Sequence, residues 1–225
     1  MESLDYEKAH EEYVLSCATK DRKINEMLYN HSKLCSYLEK RLKGITVLAG
    51  PENLPNSEPA TASKLKDYQL IKIIWLMDAL EMNKDFRASV GKEMNIDYVD
   101  KESAHGGVIV LEDNVLKIRL IPGRSLPPDI IDGNKNYRNY LYNPVDFNRS
   151  KTSLFLFHFH AFEEDNSKFA SPTNSDLKEA ERRKIDGILF TKIMGNRFNT
   201  DFFSVGRDDN NRPFQIVLDL GLYEY

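Results

Sequence analysis

The residues whose types and spacing point most directly to chemistry are His158, His160 and Asp176. In a β-strand, side chains two positions apart share a face, so the two imidazoles of Phe157-His158-Phe159-His160 project together while Phe159 turns the opposite way. Two imidazoles so placed can reach one cation. Asp176 opens a segment with helical pattern, where a carboxylate is also favoured by the helix dipole. Two neutral nitrogens, one carboxylate and a position left for water make a catalytic zinc site and not a closed structural one. Taken alone, a His-x-His on an apolar strand is more often packing. Thr173 followed three residues later by Asp176 also reads as a capping box at a helix start, and a capping box is compatible with metal ligation.

The elements that must position these residues can be read outward from them. Ser153 to His160 (SLFLFHFH) is an apolar strand, Asp176 to about Ile185 a helix, and Gly187 to Ile193 (GILFTKI) a second strand. Phe202 to Val205 and Phe214 to Leu218 are further strand candidates. Upstream, Val108 to Leu111 and Val115 to Ile121 flank the turn-forming Glu112-Asp113-Asn114, which predicts a hairpin. Gly123 to Asn148, dense in polar residues and proline, reads as a long irregular connection. In the first hundred residues, apolar positions recur at helical steps. Two helices are expected between Leu4 and Lys43, broken near residues 19–21, then a linker over Gly50 to Ser63, then a long helix from Asp67 to about Gly91, interrupted near Asn83. Strands interleaved with helices after residue 100, preceded by helices alone, give an α/β or α+β fold: a mixed sheet flanked by helices with a helical N-terminal section. We divide the chain into a helical region, residues 1–95, and a site-bearing region, residues 96–225.

The segment HFHAFEEDNSKFASPTNSDLKEA resembles the metal-binding core of the JAB/MPN (JAMM) metalloproteases: His-x-His-Pro, a short loop, then Pro-Ser/Thr-x-x-Asp and a helix with a small residue four positions on. His158, His160, Pro172, Thr173, Asp176 and Ala180 fall in that order. The likeness runs from about Glu102 to the C-terminus, with Gly106-Gly107 opening the first strand. It implies a JAB/MPN-like, cytidine-deaminase-like sheet, Zn2+ as cofactor on His158, His160 and Asp176, and hydrolysis of an amide bond by a metal-activated water in a peptidase or isopeptidase. It implies a protein or peptide substrate, with a ubiquitin-like tail among the candidates. It assigns Thr173 to the oxyanion and a glutamate to general base. Three departures stand out. Ala161 replaces the proline after the second histidine, the loop from His160 to Asp176 is longer than usual, and Ala104 stands where the glutamate is expected. Glu102 is the nearest candidate base, although a shift of two residues along a strand moves a side chain by roughly 6 to 7 Å. The alternative is a catalytically inactive MPN-like scaffold or protein-binding module. A deaminase is disfavoured because its Cys-x-x-Cys is missing.

Composition narrows the remaining possibilities. The 225 residues, 41% hydrophobic, can bury a substantial core. A net charge of -4 gives no general electrostatic grip on nucleic acid. The basic run Arg182-Arg183-Lys184 reads as complementing a helix C-terminus. No apolar run is long enough to span a bilayer and the acidic N-terminus lacks the pattern of a secretory leader, so a cytoplasmic location is expected. Cys17 and Cys35 lie in helical pattern without metal-cluster spacing and read as small buried hydrophobes. His10 and His31 share that helical section and have no expected catalytic part, while His105 reads as a turn residue.

Overall fold

The computed structural model describes residues 3–45, 62–100, 105–121, 123–124, 141–142, 152–207, 210 and 212–225. Six helices occur in it: α1 (Ser3–Ala18), α2 (Arg22–Asn25), α3 (His31–Leu42), α4 (Asp67–Met82), α5 (Lys84–Val99) and α6 (Asn174–Arg183). The strands are β1 (Gly106–Glu112), β2 (Val115–Leu120), β3 (Gly123–Arg124), β4 (Leu141–Tyr142), β5 (Ser153–His160), β6 (Gly187–Ile193), β7 (Arg197–Arg207) and β8 (Pro213–Glu224). The main sheet runs β2-β1-β5-β6-β7-β8, and β3 pairs with β4 separately. Within the main sheet only β5 and β6 are parallel. Parallel neighbours need a crossover, and α6 supplies it. The expected mixed sheet flanked by helices is therefore present. Most of the connection between Gly123 and Asn148, and most of the Gly50 to Ser63 linker, lie outside the described residues.

Local chemistry explains the hairpin. Asp113 and Asn114 both have positive φ (52° and 59°), the requirement of a two-residue turn whose twist suits antiparallel strands. At the other end of β1, a Cβ on Gly107 would lie 2.0 Å from the Arg119 carbonyl oxygen, so the close approach of β2 demands glycine there. The break near Asn83 is also present: that residue ends α4, and its side chain accepts a hydrogen bond from Phe86 N at 3.0 Å to start α5. The first helical stretch divides more than expected. Asp21 caps the short α2, and Asn30 caps α3 through Lys33 N.

The two faces of the sheet have different covers. Phe155, Phe157, Phe159, Phe190 and Phe202 share one continuous core with Val14, Leu34, Leu70, Ile74 and Met94 of the N-terminal helices. Helix α4 is apolar nearly all round because it sits inside that layer. Its Lys72, only 1% exposed, donates to Leu154 O at 3.0 Å and pairs with Asp186, which also accepts from Gln69 and Ser204. This buried polar knot fixes α4 to the start of β5 and the entrance of β6. On the opposite face α6 lays Leu177 and Ala180 against Leu189 and Phe203. Among the described residues no helix is long and apolar enough to cross a membrane.

Candidate metal centre

His158 and His160 end β5, and the register places His158 beside Gly106 of β1 and Leu189 of β6. Residues paired across a sheet share a face, so both imidazoles stand on the side that α6 covers, away from the phenylalanine core. Asp176 arrives from the first turn of α6, at the carboxyl end of a parallel strand, where α/β sheets commonly build their sites. His158, His160 and Asp176 each offer a ligand atom within 4.8 Å of the others, the one such His/Cys/Asp/Glu cluster among the described residues.

Each of the three is held in a definite orientation. His160 Nδ1 lies 2.8 Å from Phe169 O, and only an N–H can satisfy a carbonyl, so the proton is on Nδ1 and the Nε2 lone pair is free for a cation. Asp176 Oδ2 accepts from both the backbone N and the Oγ1 of Thr173, each at 2.7 Å, which leaves Oδ1 toward His158. His158 Nε2 is 3.2 Å from that Oδ1 yet lacks the alignment of a hydrogen bond, making it a buried nitrogen without a hydrogen-bond partner. An orphaned imidazole nitrogen, a second with its lone pair aimed inward, and a carboxylate oxygen fit a borderline-soft divalent ion such as zinc.

Electrostatics separates the two histidines. Burial works against a charge on His158, but the carboxylate of Asp176, with a smaller contribution from Asp97, outweighs it and holds this imidazole above its ordinary value. Burial, reinforced by the charge of His158, pushes His160 down to about 4 despite the Phe169 carbonyl. Burial would also raise Asp176, yet His158 and Thr173 overcome it and keep the carboxyl well below the usual carboxylate range.

The other sequence candidates fall as follows. Glu102 lies outside the described residues, so the structure neither brings it to the cluster nor removes it. Thr173 is the N-cap of α6, and its hydroxyl proton is committed to Asp176; what it does in this arrangement is orient a ligand. His105 is not in the cluster: its backbone N donates to Asp97 Oδ1 at 2.6 Å and its ring faces Asp100. Of the other carboxylates on β1 and in the loop after His160, Glu112 sits at the far end of β1 with Lys117 and Arg119, and Glu163 pairs with Lys168.

Two contributors were missed from sequence. The lengthened loop after His160 is organised by Asn166, which is fully buried. It accepts from Phe162 N and Glu163 N and donates to Glu163 O, while its backbone N binds Lys192 O at the end of β6. The loop pinned in this way delivers the Phe169 carbonyl to His160; the Asp-Asn-Ser triplet was the available signal. Asp97, 1% exposed at the end of α5, bears on His158 from an element that carries no motif. Scans of this chain against protein-family models, curated proteins and solved structures find no match in any of the three.

Proposed function

We propose that this protein is a zinc-dependent hydrolase of the JAMM type, cleaving a peptide or isopeptide bond, with His158, His160 and Asp176 as metal ligands. One observation carries the reading: three ligand atoms of suitable chemistry converge within 4.8 Å on one face of the sheet, two of them fixed by outer hydrogen bonds. Zinc, when bound, supplies a Lewis acid that polarises a carbonyl and acidifies water. The remaining work falls to the chain. Phe169 O and Thr173 fix the ligand orientations, and the phenylalanine layer beneath β5 gives the site a rigid, apolar floor. Glu102 remains the proposed proton shuttle, on the resemblance alone.

The test joins stoichiometry to activity. Metal-free protein offered zinc should take up one equivalent by elemental analysis, and His158→Gln and Asp176→Asn should each abolish uptake. A panel of internally quenched peptides and isopeptide-linked ubiquitin-like tails should then show chelator-sensitive cleavage. Protein that stays metal-free after zinc is offered refutes the proposal. Stoichiometric zinc without hydrolysis of any amide selects the non-catalytic MPN-like scaffold, the reading that Ala104 and Ala161 favour.

A further inference from the structure

On the opposite side of the molecule from the α6 face, the start of α3 carries a second arrangement of reactive groups. His31 Nδ1 lies 2.6 Å from Asp67 Oδ1, the first residue of α4, and His31 Nε2 lies 3.3 Å from Cys35 Sγ, one turn along α3. The order is nucleophile, base, orienting carboxylate, each within hydrogen-bond reach of the next. The local sequence makes it possible: residues four apart on a helix are neighbours, and Asn30 caps α3 so that His31 begins its first turn. Asp67, at the start of α4, fixes the imidazole with its proton on Nδ1, which leaves the Nε2 lone pair toward the thiol. Cys35 is 7% exposed, whereas the His31 side chain is 45% exposed, so the pair lies at the edge of the helical layer and not inside it.

We propose that Cys35, His31 and Asp67 form a nucleophilic thiol centre, separate from the metal cluster, that accepts acyl groups from small uncharged esters or thioesters. Burial, with the carboxylates of Glu39 and Asp67, raises the Cys35 thiol, so it rests protonated and requires a base at the moment of attack. Those carboxylates also disfavour anionic substrates, and the slight exposure of Cys35 admits only small ones. With p-nitrophenyl acetate, the Cys35 proton passes to His31 Nε2 as the sulfur attacks the acetyl carbon. The new C–S bond replaces the C–O bond, p-nitrophenoxide departs, and Asp67 holds the imidazolium that remains. The imidazolium gives its proton to solvent, and neutral His31 then takes a proton from the water that attacks the thioester carbon. The C–S bond breaks, acetic acid leaves and ionises to acetate, and the proton on His31 returns to the Cys35 sulfur. The plain alternative is a structural tie between α3 and α4, which predicts no reactivity at all.

Cys17 and Cys35 are the only cysteines, so the full chain carrying Cys17→Ser isolates the thiol in question. Incubated with p-nitrophenyl acetate at pH 7.5, it should release p-nitrophenoxide and carry acetate on Cys35 by peptide mapping. In that background His31→Gln should slow acetylation by about 100-fold, the lower range for loss of a general base, and Asp67→Asn by a smaller factor. Iodoacetamide gives a second readout: folded Cys17→Ser protein should be alkylated at Cys35, and His31→Gln in that background should slow the alkylation, while the two proteins react alike in urea. Equal acetylation of the His31→Gln protein, equal alkylation of the two folded proteins, or a Cys35 that reacts only after urea unfolding would each overturn the proposal.

Discussion

The divergence between the two cluster histidines sets how many protons a bound zinc ion must displace. Above about pH 5 His160, pushed down to about 4, is already neutral, and Asp176 is already ionised. His158, held above its ordinary value by Asp176, is the one ligand of the three that keeps its proton through pH 6. Zinc affinity should therefore rise about tenfold per pH unit from pH 5 up to the folded value of His158, or about 1.4 kcal/mol per unit, and level off above it. Isothermal titration in two buffers of different ionisation enthalpy should return close to one proton released at pH 6. The metal-free protein should show the opposite trend. A histidine whose folded value is raised lends stability that is complete below its unfolded value, near 6.5, and that fades as pH climbs through the folded value. At a fixed free zinc concentration the stabilisation conferred by zinc should thus widen as pH rises from 6 toward the folded value of His158, and it is about 2.7 kcal/mol where that concentration stands at 100 times Kd. Release of two protons at pH 6, or a pH-independent affinity, would refute the assignment of charge states on which this rests.

Other consequences can be checked independently. Asn166→Ala should remove the side-chain bonds to Phe162, Glu163 and Lys192 and loosen the Phe169 carbonyl, lowering zinc affinity about 10- to 100-fold by competition with a chromogenic chelator. Lys72→Met leaves Asp186 charged and buried, so urea unfolding should register a loss of about 3–5 kcal/mol, most of it recovered in Lys72→Met/Asp186→Asn. Burial, with Asp219 opposite, raises Asp201 well above its ordinary value, so the stability tied to this carboxyl is complete below about pH 4 and is lost as pH rises toward the folded value. Asp201→Asn should accordingly raise the melting temperature at pH 7 and leave it nearly unchanged at pH 4.

Much of the positioning framework was legible because it is written in short-range chemistry. Strands β5 and β6 occupy the expected residues to the position, since each is a single apolar run closed by a polar change, and the Asp113-Asn114 turn announces its own hairpin. Strands β7 and β8 are longer than expected. Their polar residues, Asn199, Thr200 and Asp201, are buried against other elements, and burial of polar groups leaves no periodic trace. The same reason hid Asp97 and the Lys72–Asp186 knot. Their partners are 8 to 117 residues distant, and only the folded chain joins them. Nor could periodicity show that the N-terminal helices share a core with the sheet. Helix α4 lacks a polar face, which excludes a free surface helix without naming what covers it.

Strand alternation alone would make His158 and His160 equivalent, two rings on one face with centroids 5.3 Å apart. What distinguishes them comes from the crossover that follows. Its loop turns a carbonyl, Phe169 O, toward His160, and its helix start turns a carboxylate toward His158. The carbonyl fixes where the proton of His160 sits, while burial and the charge of His158 keep that ring neutral, and the carboxylate keeps the other ring basic. The loop between β5 and α6 thus sets the tautomer of His160, and the start of α6 sets the basicity of His158. Deleting residues 163–169 would remove Asn166 and the Phe169 carbonyl together, leaving His160 free to choose either tautomer. The loop residues therefore belong to the site's geometry as much as the ligands do.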